Sequence, residues 1–465
     1  MRLLPPKTSL AIVSFSGLVL LLATANLLRP VDFDSVIDFH AATPGASAAP
    51  PAEPAVRVVG NHSVGGKPPD KPIEVASIVP HAAPPSMHND NLGSGFPHLT
   101  EPPESLDAFY RALSRTAAKQ DVTRILHYGD SPVTADSITA DMRSLLQQQY
   151  GDAGHGFILL AKPWAWYGHR GVEVRGSGWR IEPASQSRAH DGIHGLGGVS
   201  FRGEAGASSR IHLDSPHDRI EVSFLRQAGG GAFTVKAGDQ PVGQVNTDGP
   251  GKQLDWAAMP LPAGTQDVTL AVSSGVVRMF GASFTKDAPG LIYNSLGLNG
   301  GQVQVVVRYF DRNEWAAALN HERPDLVVIN YGTNESIFPS YIETYYRGEL
   351  RQVIGRVKAA VPNASVLVMS PMDRGRRDAS GEIVTVPILP RIVEIQREAA
   401  AETGCAFFNT FEAMGGAGTM GAWYTMQPRL VSADFTHPLP GGARKIGVLL
   451  DSALLTGYER FKARR

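Results

Sequence analysis

Short apolar runs alternate with helix-like stretches through much of this chain, and this alternation narrows the fold most. The runs are typical of strands buried on both faces, and they cover residues 124–128, 291–294, 325–330, 365–370 and 405–408. Stretches of helical periodicity separate them, for example residues 341–360 and 389–402. Strands that alternate with helices favour a parallel sheet covered by helices on both sides. We therefore predict an α/β fold with a doubly wound parallel sheet.

The pattern changes between Lys162 and Asp287. This segment is rich in glycine and in short alternating runs, such as residues 219–224 and 268–272, which turn residues separate. Such a pattern is typical of an antiparallel β-sandwich. The α/β alternation resumes at Leu291. We therefore predict that residues 162–287 form a β-sandwich inserted into an α/β domain, and that this domain consists of residues 105–161 and 288–465.

The segment before the predicted α/β domain has two parts. Positive charge precedes an apolar run from Leu10 to Leu28, which is near the ~20 residues that span a bilayer. Residues 1–30 are therefore either a signal peptide or an N-terminal membrane anchor. Residues 31–104 are rich in alanine, proline and serine and predict a linker. In both cases we expect the folded part in the periplasm or otherwise outside the cytoplasm, with the inner membrane as a partner if the segment is retained.

Composition argues against several classes of function. The chain has 43 Lys and Arg residues against 44 Asp and Glu residues, so nucleic acid is not an expected partner. Cys405 is the single cysteine, which excludes an internal disulfide and a cysteine-based metal site, and we expect it in a buried strand. His190 and His194 have i, i+4 spacing, but their glycine-rich context favours surface loops over a metal site. We expect no metal and no cofactor.

Polar residues follow the predicted strands at positions that a parallel sheet would bring together. Ser131 follows the first run, Gly300 the second and Asn334 the third, while Asp434 and His437 precede the last helix. Loops at the carboxyl ends of parallel strands meet at one edge of the sheet, where ligands bind. Each residue alone is equally typical of an ordinary turn or helix cap. Together, in this order, they favour an active site.

Acyl transfer requires these residue types. A serine hydroxyl is a weak nucleophile, and His437 could accept its proton and pass it to the leaving alcohol. Asp434 could hold the imidazole in one tautomer and stabilise its charged form. The backbone N–H groups of Ser131 and Gly300 and the side-chain amide of Asn334 are the predicted donors of an oxyanion hole.

These residues resemble the signature blocks of the SGNH (GDSL-type) hydrolases. The resemblance rests on GDS at 129–131, the block that ends at Gly300, GTNE at 332–335 and DFTH at 434–437. It implies a flavodoxin-like sheet, a Ser-His-Asp triad and a three-donor oxyanion hole at the residues named above.

A narrower resemblance is to the periplasmic peptidoglycan O-acetylesterases. It rests on NSLGLNGGQ at 294–302, YGTNE at 331–335 and NTFEAMGGAG at 409–418, followed by Trp423. In that family a β-sandwich similar to a carbohydrate-binding module interrupts the hydrolase domain between the first and second blocks. The resemblance implies a serine esterase that removes O-acetyl groups from a cell-envelope glycan, with peptidoglycan first and an exopolysaccharide second. Pro132 departs from the histidine that more often follows the serine in those esterases.

Further contacts with a glycan are predicted from glycine-rich and aromatic segments. Met414 and Trp423 flank a glycine-rich loop and are predicted to bind substrate. Four aromatic residues near the start of the insertion either stack on sugar rings or fill the core of the sandwich: Trp164, Trp166, Tyr167 and Trp179.

Two alternative functions stay open at the level of sequence. An O-acetyltransferase would use the same triad, because the acceptor is chosen by access to the acetyl-enzyme. A non-catalytic glycan-binding protein would keep the fold as a scaffold, although the intact set of polar residues argues against it.

Overall fold

The structure, a computed structural model, describes residues 98–186 and 189–464. The predicted signal peptide or anchor and residues 31–97 of the predicted linker lie outside this part of the chain. Within it, none of the helices combines the length and apolar character needed to cross a membrane.

The chain builds its secondary structure in three successive parts. The first contains β1 (Leu99–Thr100), α1 (Asp107–Ala117), β2 (Val122–Gly129), α2 (Ser131–Thr134) and α3 (Ser137–Tyr150). The second contains β3 (Gly156–Ile158), β4 (Val172–Ser177), β5 (Arg180–Pro183), β6 (Val199–Glu204), β7 (Ser208–Leu213), β8 (Arg219–Arg226), β9 (Ala232–Ala237), β10 (Gln240–Asn246), β11 (Gln253–Pro260), β12 (Asp267–Ser274) and β13 (Val276–Thr285).

The third part returns to alternating strands and helices. It contains β14 (Gly290–Gly297), α4 (Val303–Tyr309), α5 (Arg312–Glu322), β15 (Leu326–Asn330), a 3₁₀ turn (Glu335–Ile337), α6 (Pro339–Tyr341), a π-helical segment (Ile342–Tyr346), α7 (Arg347–Ala360), β16 (Ser365–Met369), β17 (Gly375–Arg377), β18 (Ile383–Thr385), α8 (Leu389–Glu402), β19 (Ala406–Phe408), α9 (Thr410–Ala413), α10 (Thr419–Thr425) and α11 (Pro440–Ala463).

The first and third parts share one sheet, with the strand order β1-β19-β16-β15-β2-β14. The neighbours from β19 to β14 are parallel, and β1 pairs with β19 antiparallel at the edge. Numbered by their order in the chain, the parallel strands run 2-1-3-4-5, which is the flavodoxin-like order. The predicted doubly wound parallel sheet is therefore confirmed, with an antiparallel edge strand added. Its topological switch point lies between β2 and β15.

Apolar packing on both faces explains the uninterrupted apolar strands. In β15, Leu326 and Val328 belong to one buried cluster, whereas Val327 and Ile329 belong to the other. Successive side chains of a strand point to opposite faces, so a strand between two helical layers needs apolar residues at every position. Cys405 is buried just before β19, as expected.

The insertion forms two antiparallel sheets. One has the order β10-β9-β12-β7-β4 and the other β11-β8-β13-β6-β5, with β3 pairing to β13. Phe224 of the second sheet contacts Phe233 of the first edge to face, with ring centroids 5.6 Å apart. The two sheets therefore pack face to face over a shared apolar core, as in a β-sandwich.

Two predicted boundaries differ in the structure: the start of the insertion and the start of the folded α/β domain. Strand β3 (Gly156–Ile158) pairs with β13, so β-structure of the insertion begins before residue 162. All three of its residues are buried and give no alternating pattern. Leu99 and Thr100 pair with Phe408 and Phe407, although they lie in the predicted linker. A two-residue strand is too short to produce a periodic signal.

The segment that starts at Ser131 forms two helices, α2 and α3, with a break between them. Asp136 separates α2 from α3 and has a left-handed backbone, with φ of 51°. Its buried carboxylate is 2.5 Å from Arg143 and accepts the backbone N–H of Arg170 at 2.7 Å. The break therefore docks the loop at residues 168–170 against the segment that follows Ser131.

Candidate active site

Ser131 stands at the end of β2 and opens α2, next to the switch point of the sheet. Its side chain is almost fully buried, with 8% of the residue exposed. Pro132 occupies the start of α2, where a missing backbone N–H leaves no helical hydrogen bond unmade. Close packing on the neighbouring strand requires glycine, because a Cβ on Gly297 would lie 2.0 Å from the backbone nitrogen of Thr134. The turn is thereby pressed against the end of β14.

A chain of two hydrogen bonds joins the serine to a carboxylate. Ser131 Oγ lies 2.8 Å from Nε2 of His437, and Nδ1 of His437 lies 2.5 Å from Oδ2 of Asp434. With the proton on Nδ1 donated to Asp434, Nε2 is left to accept the hydroxyl proton of Ser131. The structure thus brings the three predicted triad residues together across 306 positions of sequence.

The carboxylate of Asp434 is surrounded by donors from its own loop. Its Oδ1 accepts the backbone N–H groups of Thr436 at 3.0 Å and of His437 at 3.1 Å, and also the hydroxyl of Ser432. Partial burial alone would raise the pKa of Asp434, but the hydrogen bonds from Ser432 and His437 outweigh burial and hold this pKa well below its usual range. Asp434 therefore stays ionised while it orients the imidazole.

The predicted oxyanion residues lie on loops that hydrogen bonds tie to the serine turn. The N–H of Leu298 donates to the carbonyl of Gly129 at 2.9 Å, just before the serine turn. Gly300 is exposed and has a φ of 66°, which favours glycine. Asn334 donates one N–H of its side chain to the carbonyl of Gly301 at 3.0 Å, and a side-chain amide carries a second N–H. The loops after β2, β14 and β15 are therefore joined at the switch point.

Glu335 has no role in the sequence-based prediction, yet it holds two of these loops. Its carboxylate is fully buried and accepts the N–H of Val303 at 2.8 Å and of Gly332 at 3.0 Å. Burial raises the pKa of Glu335 to about 8. The nearby Asp130 acts in the same direction, whereas the two backbone donors lower this pKa. The sequence signal was the glutamate of the GTNE block, which follows Asn334 directly.

Two further polar residues surround the site. Asp130 is buried beside Ser131, and burial raises its pKa to about 6, although Thr333 and His437 favour the charged form. Arg374 donates to the hydroxyl of Ser336 at 2.7 Å. The next residue after Arg374, Gly375, donates its N–H to the carbonyl of Phe435 at 2.8 Å. This segment therefore links the loop of Asn334 to the loop of His437.

The predicted substrate contacts of Met414 and Trp423 need correction. Met414 is 8% exposed and Trp423 is 5% exposed, and both belong to a buried apolar cluster. The sulfur of Met414 lies 3.1 Å from the backbone nitrogen of Asp373, and the Trp423 ring packs beside Gly442. The glycine-rich sequence indicated a loop, but the apolar side chains of Met414 and Trp423 point into the protein and pack in its core.

The aromatic residues near the start of the insertion divide between core and surface. Trp164 and Tyr167 are buried, and Trp179 donates to the carbonyl of Ser208 at 3.0 Å, whereas Trp166 is exposed. His190 is exposed as predicted. His194 is not a surface residue, because it is buried against Phe310. Among the described residues, no group of three or more His, Cys, Asp or Glu side chains is arranged to hold a metal ion.

Comparison with known proteins gives one family match. Residues 263–445 match the model of the GDSL-like lipase/acylhydrolase family. The matched range contains Gly300, Asn334, Asp434 and His437, whereas Ser131 precedes it because the insertion separates the first block from the others. No curated protein matches the chain.

Solved structures give a match over most of the described chain. A peptidoglycan O-acetylesterase superposes with a TM-score of 0.67 at 22% identity, over 79% of this chain and 100% of that chain. This likeness shows an SGNH hydrolase fold. A family two carbohydrate esterase from Clostridium thermocellum is also similar, with a TM-score of 0.27 at 12% identity, over 57% of this chain and 96% of that chain. A carbohydrate-binding module of Cellvibrio mixtus lichenase 5A covers 24% of this chain at 17% identity, with 89% of that module covered and a TM-score of 0.18.

Proposed function

We propose, from the premise that this chain carries a GDSL-like lipase/acylhydrolase domain and is a hydrolase, that it is a serine esterase that releases O-acetyl groups from a cell-envelope glycan. Peptidoglycan is the first substrate of the proposal, and an acetylated exopolysaccharide is the second. The envelope location rests on residues 1–30, which lie outside the described part of the chain.

The hydrogen-bonded chain from Ser131 through His437 to Asp434 carries the proposal. Nε2 of His437 takes the proton of Ser131 Oγ as the oxygen attacks the acetyl carbonyl carbon. The resulting imidazolium gives this proton to the sugar oxygen, the C–O bond of the ester breaks, and an acetyl-enzyme remains. Water then attacks the acetyl-enzyme, with His437 as the base, and acetate leaves.

The oxyanion of each tetrahedral intermediate would be bound by donors at the switch point. The N–H groups of Ser131 and Gly300 donate to no described residue, and the amide of Asn334 keeps one N–H beyond its bond to Gly301. These donors are fixed before the reaction, so they need little reorganisation as charge develops. The clamp formed by Glu335 supports this role because it joins the two loops that carry Gly300 and Asn334.

The fold that this chain shares with a peptidoglycan O-acetylesterase supports a glycan substrate. Assays on two acetylated glycans test which of them is the substrate. The full chain is incubated with O-acetylated peptidoglycan and, separately, with an acetylated exopolysaccharide, and released acetate is measured. We expect acetate from peptidoglycan at the higher rate. Ser131→Ala should abolish release while the circular dichroism spectrum stays that of the unchanged chain. Acetate release at the original rate by Ser131→Ala would refute the assigned nucleophile.

The same assay separates hydrolysis from acetyl transfer. An activated acetyl ester is supplied with and without unacetylated glycan, and the products are quantified. Hydrolysis yields free acetate in both mixtures. Acetylated glycan as the main product would instead assign an O-acetyltransferase, in which a sugar hydroxyl takes the place of water.

A further inference from the structure

Trp166 is the exposed member of the aromatic group at the start of the insertion. Its exposed fraction is 54%, whereas its neighbours Trp164 and Tyr167 are buried. Single exposed hydrophobic residues are common on protein surfaces, so what distinguishes Trp166 is the set of hydrogen bonds that holds its ring and its loop in place.

Hydrogen bonds hold this loop between two segments of the candidate active site. Nε1 of Trp166 donates to Oδ1 of Asn299 at 3.1 Å, and Asn299 directly precedes Gly300. Two residues after the tryptophan, the N–H of Gly168 donates to the carbonyl of Thr134 at 3.2 Å, in the helix that Ser131 opens. The exposed indole is therefore tied on one side to the predicted oxyanion loop and on the other to the helix of the candidate nucleophile.

The anchor of the indole is itself fixed. The carbonyl of Asn299 accepts the hydroxyl of Ser185 at 3.0 Å, so the insertion supplies both the aromatic ring and a support for its partner. Because the only polar group of the indole is already bonded to Asn299, covering the ring leaves no donor unpaired. What stays open to solvent is an apolar ring in a defined orientation.

A cleft adjoins the same loop on the side of the catalytic histidine. It has a volume of about 360 Å³ and is lined by Ala135, Gly168, Arg170 and Pro438, among others. Pro438 follows His437 directly. The loop that follows Trp166 therefore borders a cleft whose lining includes the residue next to His437.

We propose that Trp166 forms a sugar-binding subsite, in which its ring stacks on a pyranose of the acetylated glycan and presents the O-acetyl group to Ser131. This subsite rests on the proposed function and specifies how the insertion takes part in it. A pyranose offers an apolar face of C–H groups, which an aromatic ring covers favourably. A small acetyl ester, which lacks a sugar ring, gains nothing from the indole.

The test compares two substrates in the full chain. Trp166→Ala should lower the ratio of kcat/KM on O-acetylated glycan fragments to kcat/KM on p-nitrophenyl acetate by about tenfold, mainly through KM on the glycan. Trp166→Phe keeps an aromatic face but loses the bond to Asn299, and we expect it to recover part of that ratio.

The matched control is Tyr345→Ala. Tyr345 is an aromatic residue of similar exposure, 50%, in the π-helical segment and outside the loops of the candidate site. This variant should keep the ratio of the unchanged chain. An equal loss on both substrates, or an unchanged ratio in Trp166→Ala, would refute the subsite alone. Failure of the unchanged chain to release acetate from any glycan would refute the proposed function and the subsite with it.

Discussion

Two carboxylates support the candidate active site from opposite kinds of surroundings. Asp434 is half exposed, and its donors come from a single short loop that includes Ser432, Thr436 and His437. Glu335 is fully buried, and its donors, the N–H groups of Val303 and Gly332, lie on the loops after two different strands. The pKa of Asp434 is held low, whereas burial raises the pKa of Glu335 to about 8.

The difference separates the part of the site that moves protons from the part that receives charge. The loop of Asp434 and His437 is organised locally, and its position relative to Ser131 depends on the packing around it. The oxyanion loops are joined by hydrogen bonds between segments distant in sequence, and Glu335 makes one of these bonds, to Val303, beside a local bond to Gly332. We expect substitutions in the local loop to remove proton transfer and substitutions in the buried clamp to loosen geometry, with effects of different size.

The largest effect is expected from Asp434→Asn. An amide cannot stabilise the imidazolium and favours the wrong tautomer, so kcat should fall about 10⁴-fold. The measurement is kcat on a small acetyl ester. Asp378→Asn is the control, because Asp378 also accepts local donors, from Ser380 and Glu382, but lies in the turn between β17 and β18. A loss below about tenfold in Asp434→Asn would mean that the local loop does not orient the base.

A smaller loss is expected from Asn334→Ala. Removing one donor of an oxyanion hole costs about 10²–10³ in kcat. The bond to Gly301 is lost as well, so the two oxyanion loops should also separate more easily. Steady-state kinetics on the same ester measures the change, and Asn313→Ala, at an exposed position of α5, is the control. An unchanged kcat would place the third donor elsewhere.

Glu335→Gln tests the hydrogen bonds of the buried carboxylate to Val303 and Gly332, and we expect a smaller loss of activity than in Asn334→Ala. The glutamine oxygen can accept one backbone N–H, while its NH₂ group faces the other, so we expect about 1–2 kcal/mol of lost support. Since the residue acts through Gly300 and Asn334 and does not contact substrate, the loss should appear as roughly tenfold in kcat with KM little changed. The matched control is Glu343→Gln, at an exposed position of the π-helical segment. A change confined to KM would contradict a positioning role.

This contrast also explains what sequence could and could not predict. The pair Asp434 and His437 lies three residues apart, and Ser131, Gly300 and Asn334 each follow a strand, so local spacing and sheet logic were enough to propose the site. The alternation of apolar runs with helical stretches predicted the doubly wound parallel sheet, whereas the flavodoxin-like order was implied by the resemblance to the SGNH hydrolases. Glu335 stayed without a role, because its partner Val303 lies in a loop that is distant in sequence and its burial is a property of the packed fold.

The errors have the same origin. Met414 and Trp423 flank a glycine-rich loop, and sequence carries no sign of which way their side chains point. The break between α2 and α3 at Asp136 was not predicted, because its contacts with the buried Arg143 and with the N–H of Arg170 from the insertion arise only in the folded chain. Trp166 differs from Trp164 only through tertiary packing. The periodicity of apolar residues in the sequence does not show which way a side chain points or which distant polar groups it contacts.

The pH dependence of stability sharpens the comparison without any measurement of activity. Burial raises the pKa of Glu335 from the ordinary 4.5 to about 8, so the folded chain keeps a proton that the unfolded chain releases between these values. This group therefore makes the folded state less stable as pH rises through that window, by up to about 1.4 kcal/mol per pH unit. Asp130, with a pKa raised to about 6, adds the same sign up to that pH. Asp434 has the opposite sign, because its lowered pKa gives stability that is present above about pH 4 and lost in acid.

Midpoints of urea unfolding between pH 3 and pH 8, at steps of about one unit, measure both slopes. We expect Glu335→Gln to flatten the decline between about pH 5 and pH 7 and to leave the acid limb unchanged. Asp434→Asn should do the reverse and weaken only the dependence below about pH 4. If both variants changed the same limb, the two carboxylates would share one environment. The division between a local, solvated loop and a buried, long-range clamp would then fail.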